Sequence, residues 1–342
     1  MRLKWGICSG MVVMVGAGSL LYGQLTHYAN SLLPVKEPQL ITINAGSTGK
    51  QILRLLQTQR LIKHPRLLEW LWRVQRPQAQ FKAGTYRIEP GMSVRVLLQQ
   101  IQQGQEAQFT LRFVEGSYYQ QWLNIIKTAP YIQHTLTIQS ATAVAQILGI
   151  PNLSIEGWLF PDTYSYTAGT TDVELLRRAY QRMQQQLMVA WNGRRSQLPI
   201  HSPYELLILA SLIEKETAIA DERPVVASVF INRLRRGMRL QSDPTVIYGL
   251  EKPYNGFVSY SMLLRQTTSH NTYRIKGLPL TPIAMPGSAA LQAAAQPTET
   301  DYLYFVVKPE GGSLHFSLDY SAHCRAVNIY RNAKKSSRAA LP

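Results

Sequence analysis

Cysteine is nearly absent: Cys8 and Cys324 are the only two in 342 residues. Cys8 lies inside an apolar N-terminal run and Cys324 near the C-terminus, on the far side of the membrane that this run is expected to cross. The two cannot pair, so no disulfide framework is expected, and two such thiols cannot build a thiolate zinc site. His315 and His323 are too isolated to read as metal ligands, so no metal and no cofactor is expected. Internal repeats are missing, and low complexity is confined to Gln-rich patches near Gln75 and Gln99. Acidic residues are also scarce, 20 Asp and Glu against 36 Lys and Arg, for a formal charge of +16. That surplus points to an acidic partner: nucleic acid, anionic lipid or an anionic wall polymer. No segment resembles a base-reading motif, and an exported protein seldom meets DNA, so nucleic acid is set aside.

Hydrophobic residues make up 45% of the chain and charged residues 16%, the balance of a folded protein and not of a disordered tail. The length suits roughly two domains of ~150 residues. Arg2 and Lys4 precede the uncharged stretch Trp5 to Tyr22, and no further charged residue appears before Lys36. A helix of ~20 such residues spans ~30 Å of hydrocarbon, and the basic flank favours a cytoplasmic N-terminus. Residues 1–33 are therefore read as a cytoplasmic N-terminus and single-pass anchor, with the rest of the chain exported. A cleaved signal peptide is the alternative suggested by Gly16, Ala17, Gly18 and Ser19. No A-x-A site follows the run, which favours the anchor.

After a linker from Pro34 to Pro38, Ile41 and Ile43 alternate with polar neighbours as a short strand, and Ser47 is placed to cap a helix through Leu53 and Leu56. A second amphipathic stretch starts at Pro65, Phe81 to Ile88 reads as a strand, and a third helix runs from Ser93 to a stop at Gly104. Phe109, Leu111 and Phe113 alternate as another strand leading to a hinge at Val114-Glu115-Gly116. The expected divisions are a small subdomain over 39–114 and a larger one over 115–335. Gly46 to Lys50 has neither the spacing nor the Ser or Thr after the lysine that a phosphate loop needs.

The second half carries the chemistry. Ser202-Pro203-Tyr204-Glu205 opens a helix with a capping box, and Leu206 to Ile213 is apolar on every side, as in a fully buried helix. Its end turns charged at Glu214-Lys215-Glu216-Thr217. Glu214 lies one turn beyond Ala210 on the same stripe, where a carboxyl feels both core and cleft and burial raises its pKa toward that of a general acid. An ordinary solvated helix end fits the same spacing. A further helix begins near Asp221 and Glu222, with Pro224 in its first turn and Gly237 as its stop. It carries Arg223, Arg233, Arg235, Arg236 and Arg239, which fit carboxylates of a wall polymer or a solvated face. Gln241-Ser242-Asp243-Pro244-Thr245 is expected on a loop. The clusters Glu156 to Tyr164 and Asn271-Thr272-Tyr273 set aromatic rings beside amides and carboxyls, a combination suited to sugars and common also in packed loops.

These stretches together carry a resemblance. Phe81 to Tyr86, Glu156 to Tyr164, Glu214 to Thr217, Ala227 to Gly249 (ASVFINRLRRGMRLQSDPTVIYG), Asn271-Thr272-Tyr273, Gly277-Leu278-Pro279, Pro282-Ile283, Pro286-Gly287 and Tyr302 to Val306 make the chain similar to the YceG-like, MltG-type endolytic murein transglycosylases. One departure is Leu280, where that family usually has a second proline. The resemblance implies an α+β architecture with an N-terminal transmembrane helix, a LysM-like small subdomain, a mixed α/β catalytic domain, and Glu214 as the single essential carboxyl. It implies peptidoglycan glycan strands as substrate and a partner among the peptidoglycan synthases. Glu156, Asp162, Thr163, Tyr164, Gln241, Ser242, Asp243, Thr245, Asn271 and Tyr273 are the candidates for holding sugar or orienting the acid, and each equally suits a loop-capping role. One carboxyl suffices for a lytic transglycosylase, because the sugar's own 2-acetamido and C6 hydroxyl groups replace the second carboxyl and the water of a hydrolase. A hydrolytic muramidase using Asp243 and a wall-binding scaffold without catalysis are the alternatives.

Overall fold

Apolar residues three and four apart place the end of the first helix, α1 (18–30), against a core: Leu25, Tyr28 and Ala29 are buried there. The computed structural model describes residues 16, 18–75, 81–136, 140–151, 154–250 and 268–339. The expected span from Trp5 to Tyr22, with Cys8, lies largely outside the described residues. Among the described residues, no helix is long and apolar enough to cross a membrane.

The chain divides into two compact units, the first formed by Met1–Phe109 with Ser165–Gly169. In it β1 (Gln39–Ile43) pairs antiparallel with β2 (Gly84–Ile88), Ile41 opposite Tyr86. The inward face of this ribbon meets Ile52 and Leu56 of α2 (Gly49–Thr58), Leu68 and Leu71 of α3 (Pro65–Gln75), and Leu97 and Ile101 of α4 (Val94–Gln103). Leu25, Tyr28, Ala29 and Leu33 belong to the same core. The last turns of α1 are thus part of the small unit, whereas the sequence reading ended the anchor at residue 33 and began the subdomain at 39. The cap of α2 is Thr48 and not Ser47: its hydroxyl accepts from the Gln51 N–H while Gln51 Oε1 accepts from the Thr48 N–H at 2.7 Å. A capping box needs Glu or Gln three residues on, which Thr48 has and Ser47, facing Lys50, lacks. Gly104 ends α4 at φ 73°, as its glycine allows.

The second unit comprises Thr110–Tyr164 and Thr170–Pro342. The elements that follow α4 along the chain are β3 (Phe109–Arg112), α5 (Tyr119–Thr128), α6 (Ala141–Leu148), β4 (Thr163–Tyr166), α7 (Asp172–Asn192), α8 (Pro203–Glu216), α9 (Arg223–Arg235), α10 (Asp243–Tyr248), α11 (Ser288–Ala295), β5 (Tyr304–Val307), β6 (Leu314–Ser317) and α12 (Tyr320–Ala339). Among the described residues the strands pair as β1–β2, β3–β4 and β5–β6, so the protein is a mixed α/β molecule with small separate sheets. At the centre lies α8, with α7, α9, α10 and α11 packed around it. Every residue from Leu206 to Ile213 is buried, and each large apolar side chain there contributes about 1.5–3 kcal/mol. Ser202 caps the helix by accepting from the Glu205 N–H at 3.2 Å. This buried rod ends at Glu216, so the charged final turn is held by rigid neighbours. The segment expected to be a loop at Asp243 instead opens α10, with Pro244 in the first turn. Proline is pre-organised for that position, and an acid beside it suits the helix N-terminus.

Candidate active site

An α-helix turns about 100° per residue, so three consecutive charged side chains at a helix end leave in three directions. The last turn of α8 does this with Glu214, Lys215 and Glu216.

Glu214 points to the start of α11 and α9. Its Oε2 accepts from the Gly287 N–H at 2.9 Å and its Oε1 from Arg223 Nη2 at 3.2 Å. Both side chains of the ion pair are sheltered, Glu214 at 5% and Arg223 at 11% exposure. Burial pushes the Glu214 pKa up, the Gly287 N–H and Arg223 oppose this, and Glu115 adds to the rise. Glu115 reaches the same spot because Gly116 N–H donates to the Met285 carbonyl at 2.8 Å and Met285 N–H to the Ser117 carbonyl at 3.0 Å. A Cβ on Gly287 would meet the Glu115 carboxyl where it now lies, and Glu115 would have to swing aside to admit it.

Lys215 leaves toward the loop before α5. Its Nζ donates to the Gly116 carbonyl at 3.1 Å and lies 4.8 Å from the centre of the Tyr118 ring. Glu156, buried at 7% exposure, accepts from the Tyr119 N–H with both carboxylate oxygens and from Tyr248. Burial pushes its pKa up to about 8, opposed by these hydrogen bonds and by Lys215.

Glu216 leaves on the face opposite Glu214. Its Oε1 accepts from Ser242 Oγ at 2.5 Å, and it lines a cavity of about 410 Å³ together with Gln241, Asp243, Tyr273, Arg233, Tyr304 and His323. Burial pushes its pKa up to about 7; Ser242 and Arg233 lower it, and the Asp243 charge raises it. Tyr273 Oη donates to Asp243 Oδ1 at 2.5 Å. Beneath them Thr272 Oγ1 accepts from the Ser242 N–H at 3.0 Å and sits 2.9 Å from Thr245 Oγ1, all three residues buried. Asn271 Oδ1 takes the Tyr273 N–H at 2.9 Å. Gln241 holds φ at 51°, a left-handed backbone that a side chain adopts at a cost, at the edge of the cavity.

The structure therefore sorts the candidates into separate groups. Gln241, Ser242, Asp243, Thr245, Asn271 and Tyr273 gather around Glu216 and not around Glu214. Glu156 belongs to the Lys215 side. Thr163 and Tyr164 on β4, and Asp162 just before it, stand apart: Asp162 pairs with Arg182 at 2.8 Å and the Tyr164 hydroxyl donates to the Phe160 carbonyl at 2.6 Å. A larger cavity of about 850 Å³ on the other face of α9 is lined by Arg195, Asn232, Arg235 and the 297–301 segment and holds none of the candidates. Sequence reasoning passed over Glu216, Arg233 and Glu115. For Glu216 a signal existed, two residues further round the same charged turn; for Arg233 and Glu115 none did, since both depend on contacts far along the chain. Among the described residues no cluster of His, Cys, Asp and Glu could hold a metal ion. The arrangement at Glu216 can donate a proton, recover it, and hold hydroxyl-rich rings against tyrosine faces.

Residues 41–329 match the model of the YceG-like family. An endolytic murein transglycosylase of Bacillus subtilis (strain 168) is 29% identical over 337 residues, covering 92% of this chain and 92% of that protein. One of Streptococcus pneumoniae (strain R6) is 28% identical over 362 residues, covering 94% of this chain; the match spans 64% of the pneumococcal protein. A crystal structure of a YceG-like protein from Listeria monocytogenes superposes with a TM-score of 0.54 at 24% identity, over 85% of this chain and 99% of that one, and shares its fold.

Proposed function

The chain belongs to the YceG-like family, and on that premise we propose that it is a lytic transglycosylase that cuts peptidoglycan glycan strands internally, with Glu216 as its acid. The observation that carries the assignment of the acid is the shared cavity: Glu216 alone of the three α8-end residues lines it with Asp243, Gln241 and Tyr273. Glu214, the residue favoured by its stripe in the sequence, spends both oxygens on Arg223 and Gly287. Arg223 only partly offsets the upward push that burial gives the Glu214 pKa, so it is the engagement of both oxygens, and not the protonation state, that sets Glu214 apart.

In the proposed reaction Glu216 protonates the oxygen leaving C1 of N-acetylmuramic acid, and the C1–O bond breaks while the sugar's 2-acetamido oxygen supports the positive C1. The C6 hydroxyl of the same sugar attacks C1, and Glu216, now ionised, takes the proton that this hydroxyl loses. The product is a 1,6-anhydro end and no water is consumed. A carboxyl with its pKa near 7 can serve in both halves, because each form is within reach at neutral pH. Ser242 fixes the Glu216 rotamer, and the tyrosine rings of the cavity suit sugar faces. A held intramolecular hydroxyl has the advantage of high effective molarity.

The family likeness also supports a LysM-like role for the first unit in holding glycan, an N-terminal anchor in the bacterial inner membrane with the catalytic unit outside, and peptidoglycan synthases as partners. Glycan chain length would then be set by where the strand is cut. One observation favours a second reading: Asp243 shares the cavity with Glu216, as the second carboxyl of a hydrolase would. Digestion of purified glycan followed by mass spectrometry separates the two. Anhydro ends support the lytic reaction, ends heavier by one water support the hydrolase, and binding without release of fragments leaves only a wall-binding scaffold.

A further inference from the structure

Arg233 is buried, at 7% exposure, inside the wall of the Glu216 cavity. A guanidinium so placed needs acceptors for its donors, and it finds them on two different segments. Its Nε donates to the Leu303 carbonyl at 2.7 Å, just before β5; its Nη1 donates to the Leu240 carbonyl at 2.7 Å and reaches the Arg239 carbonyl at 3.4 Å, just before Gln241. Its Cζ lies 5.1 Å from the centre of the Tyr304 ring. One side chain thus ties together the two backbone strips, 239–241 and 303–304, that carry Gln241 and Tyr304 into the cavity.

No Asp or Glu side chain forms an ion pair with Arg233 among the described residues. Its hydrogen bonds to carbonyls leave its charge uncancelled, and that charge acts on Glu216 and on Tyr273. The titratable and charged groups that line the cavity with Glu216 are Asp243 from α10, Tyr273 from the segment before α11, Tyr304 from β5, Tyr320 and His323 from α12 and Arg233 from α9. Among them Asp243 and Arg233 oppose one another: the carboxylate favours protonated Glu216 and the guanidinium favours the ionised form. Against burial and Asp243, the Ser242 hydroxyl and the Arg233 charge together keep the ionised form of Glu216 within reach, and Arg233 supplies the only full positive charge among them.

We propose that Arg233 is a positioning residue of the catalytic cavity, joining its two backbone walls and supplying the fixed positive charge that lets Glu216 alternate between acid and carboxylate. The inference rests on Glu216 as the acid. It adds a role for a residue that touches no substrate and acts through Glu216 and the walls.

Two variants separate charge from hydrogen bonding. R233Q keeps amide donors for the carbonyls and loses the charge; R233K keeps the charge and loses the planar fork. The readouts are the pH profile of kcat for anhydro-end release and the titration of the Glu216 carboxyl carbon by NMR in 13C-Glu-labelled protein, assigned against E216Q. R233Q is expected to move the Glu216 titration upward by about one pH unit and to move the pH profile with it. R233K is expected to leave the titration in place and to raise KM, because the walls are no longer tied. An unmoved titration in folded R233Q overturns the inference, and so does an upward move in R233K. If R233Q fails to fold, as thermal melts will show, R233K still decides by the same two readouts. Full activity of E216Q would sink the underlying assignment instead, and the NMR titration of Arg233 variants is read independently of activity.

Discussion

Ser242 Oγ donates to Glu216 Oε1 at 2.5 Å, joining the first residue before α10 to the last residue of α8. The bond holds the glutamate that the packing of α8 turns toward the cavity, since Glu216 lies about 200° round the helix from Glu214. It makes the two acids chemically different although the sequence writes them two places apart.

Substituting each in turn tests the difference. E216Q should lower kcat for anhydro-end release by about 10²–10⁴-fold, the usual worth of a general acid, with the fold retained. E214Q should act on stability instead: it leaves Arg223 buried without its anion, at a cost of about 3–5 kcal/mol. Activity per folded molecule is expected to survive at temperatures where E214Q remains native. The reverse pattern, a stable but inactive E214Q beside an active E216Q, would return the acid to Glu214.

Burial raises the Glu216 pKa and the Asp243 charge adds to the rise, so D243N should let Glu216 ionise at lower pH. The limb of the pH–kcat profile that requires the acid form should then move to lower pH, opposite to the shift expected for R233Q. Asn keeps an acceptor for the Tyr273 hydroxyl, which preserves the local geometry. A profile that stays at its wild-type position would show that the two carboxyls do not feel one another.

What the sequence revealed and what it hid follow from the range of the interactions. Strand β1, helices α3 and α4, the Ser202 cap, the buried run Leu206–Ile213 and the position of Pro224 could be read because each depends on neighbours a few residues away. The grouping of Gln241 to Thr245 with Asn271 and Tyr273 was suggested only by residue type and family likeness. Which acid they surround depended on the rotation of α8 against α10, a packing matter with no local signature. Asp243 was misread as loop because the same turn-forming residues also start helices. The burial of Tyr28 and Ala29 in the small unit was hidden by an apolar run that reads equally as anchor.

Gly287 offers a steric test of the second acid cluster. G287A places a methyl group where the exposed Glu115 carboxyl now sits; the carboxyl must swing aside, and the variant should destabilise the protein by about 0.5–1 kcal/mol. Shortening the obstruction should relieve it: E115A combined with G287A is expected to be more stable than G287A alone. Thermal melts of the two single variants and the double variant measure the coupling. Additive effects would mean that Glu115 does not occupy the space above Gly287 in solution.

Glu156 makes stability depend on pH in a direction unusual for carboxylates. Its pKa rises from 4.5 to about 8 on folding, so between those values the native state binds a proton that the unfolded chain has released. The contribution of Glu156 to stability must therefore fall as pH rises through this window, by up to about 1.4 kcal/mol per pH unit for one proton, and level off above the folded value. Glu216, with its pKa near 7, adds a slope of the same sign that ends sooner. E156Q cannot ionise and retains an acceptor for the Tyr119 N–H, so its melting temperature should decline less between about pH 5 and 8 than that of the wild type. E156Q combined with E216Q should be flatter still, because both native protons are then accounted for. A melting temperature that declines no less in E156Q than in the wild type would mean that Glu156 is ionised in the native state, and that burial does not dominate its surroundings.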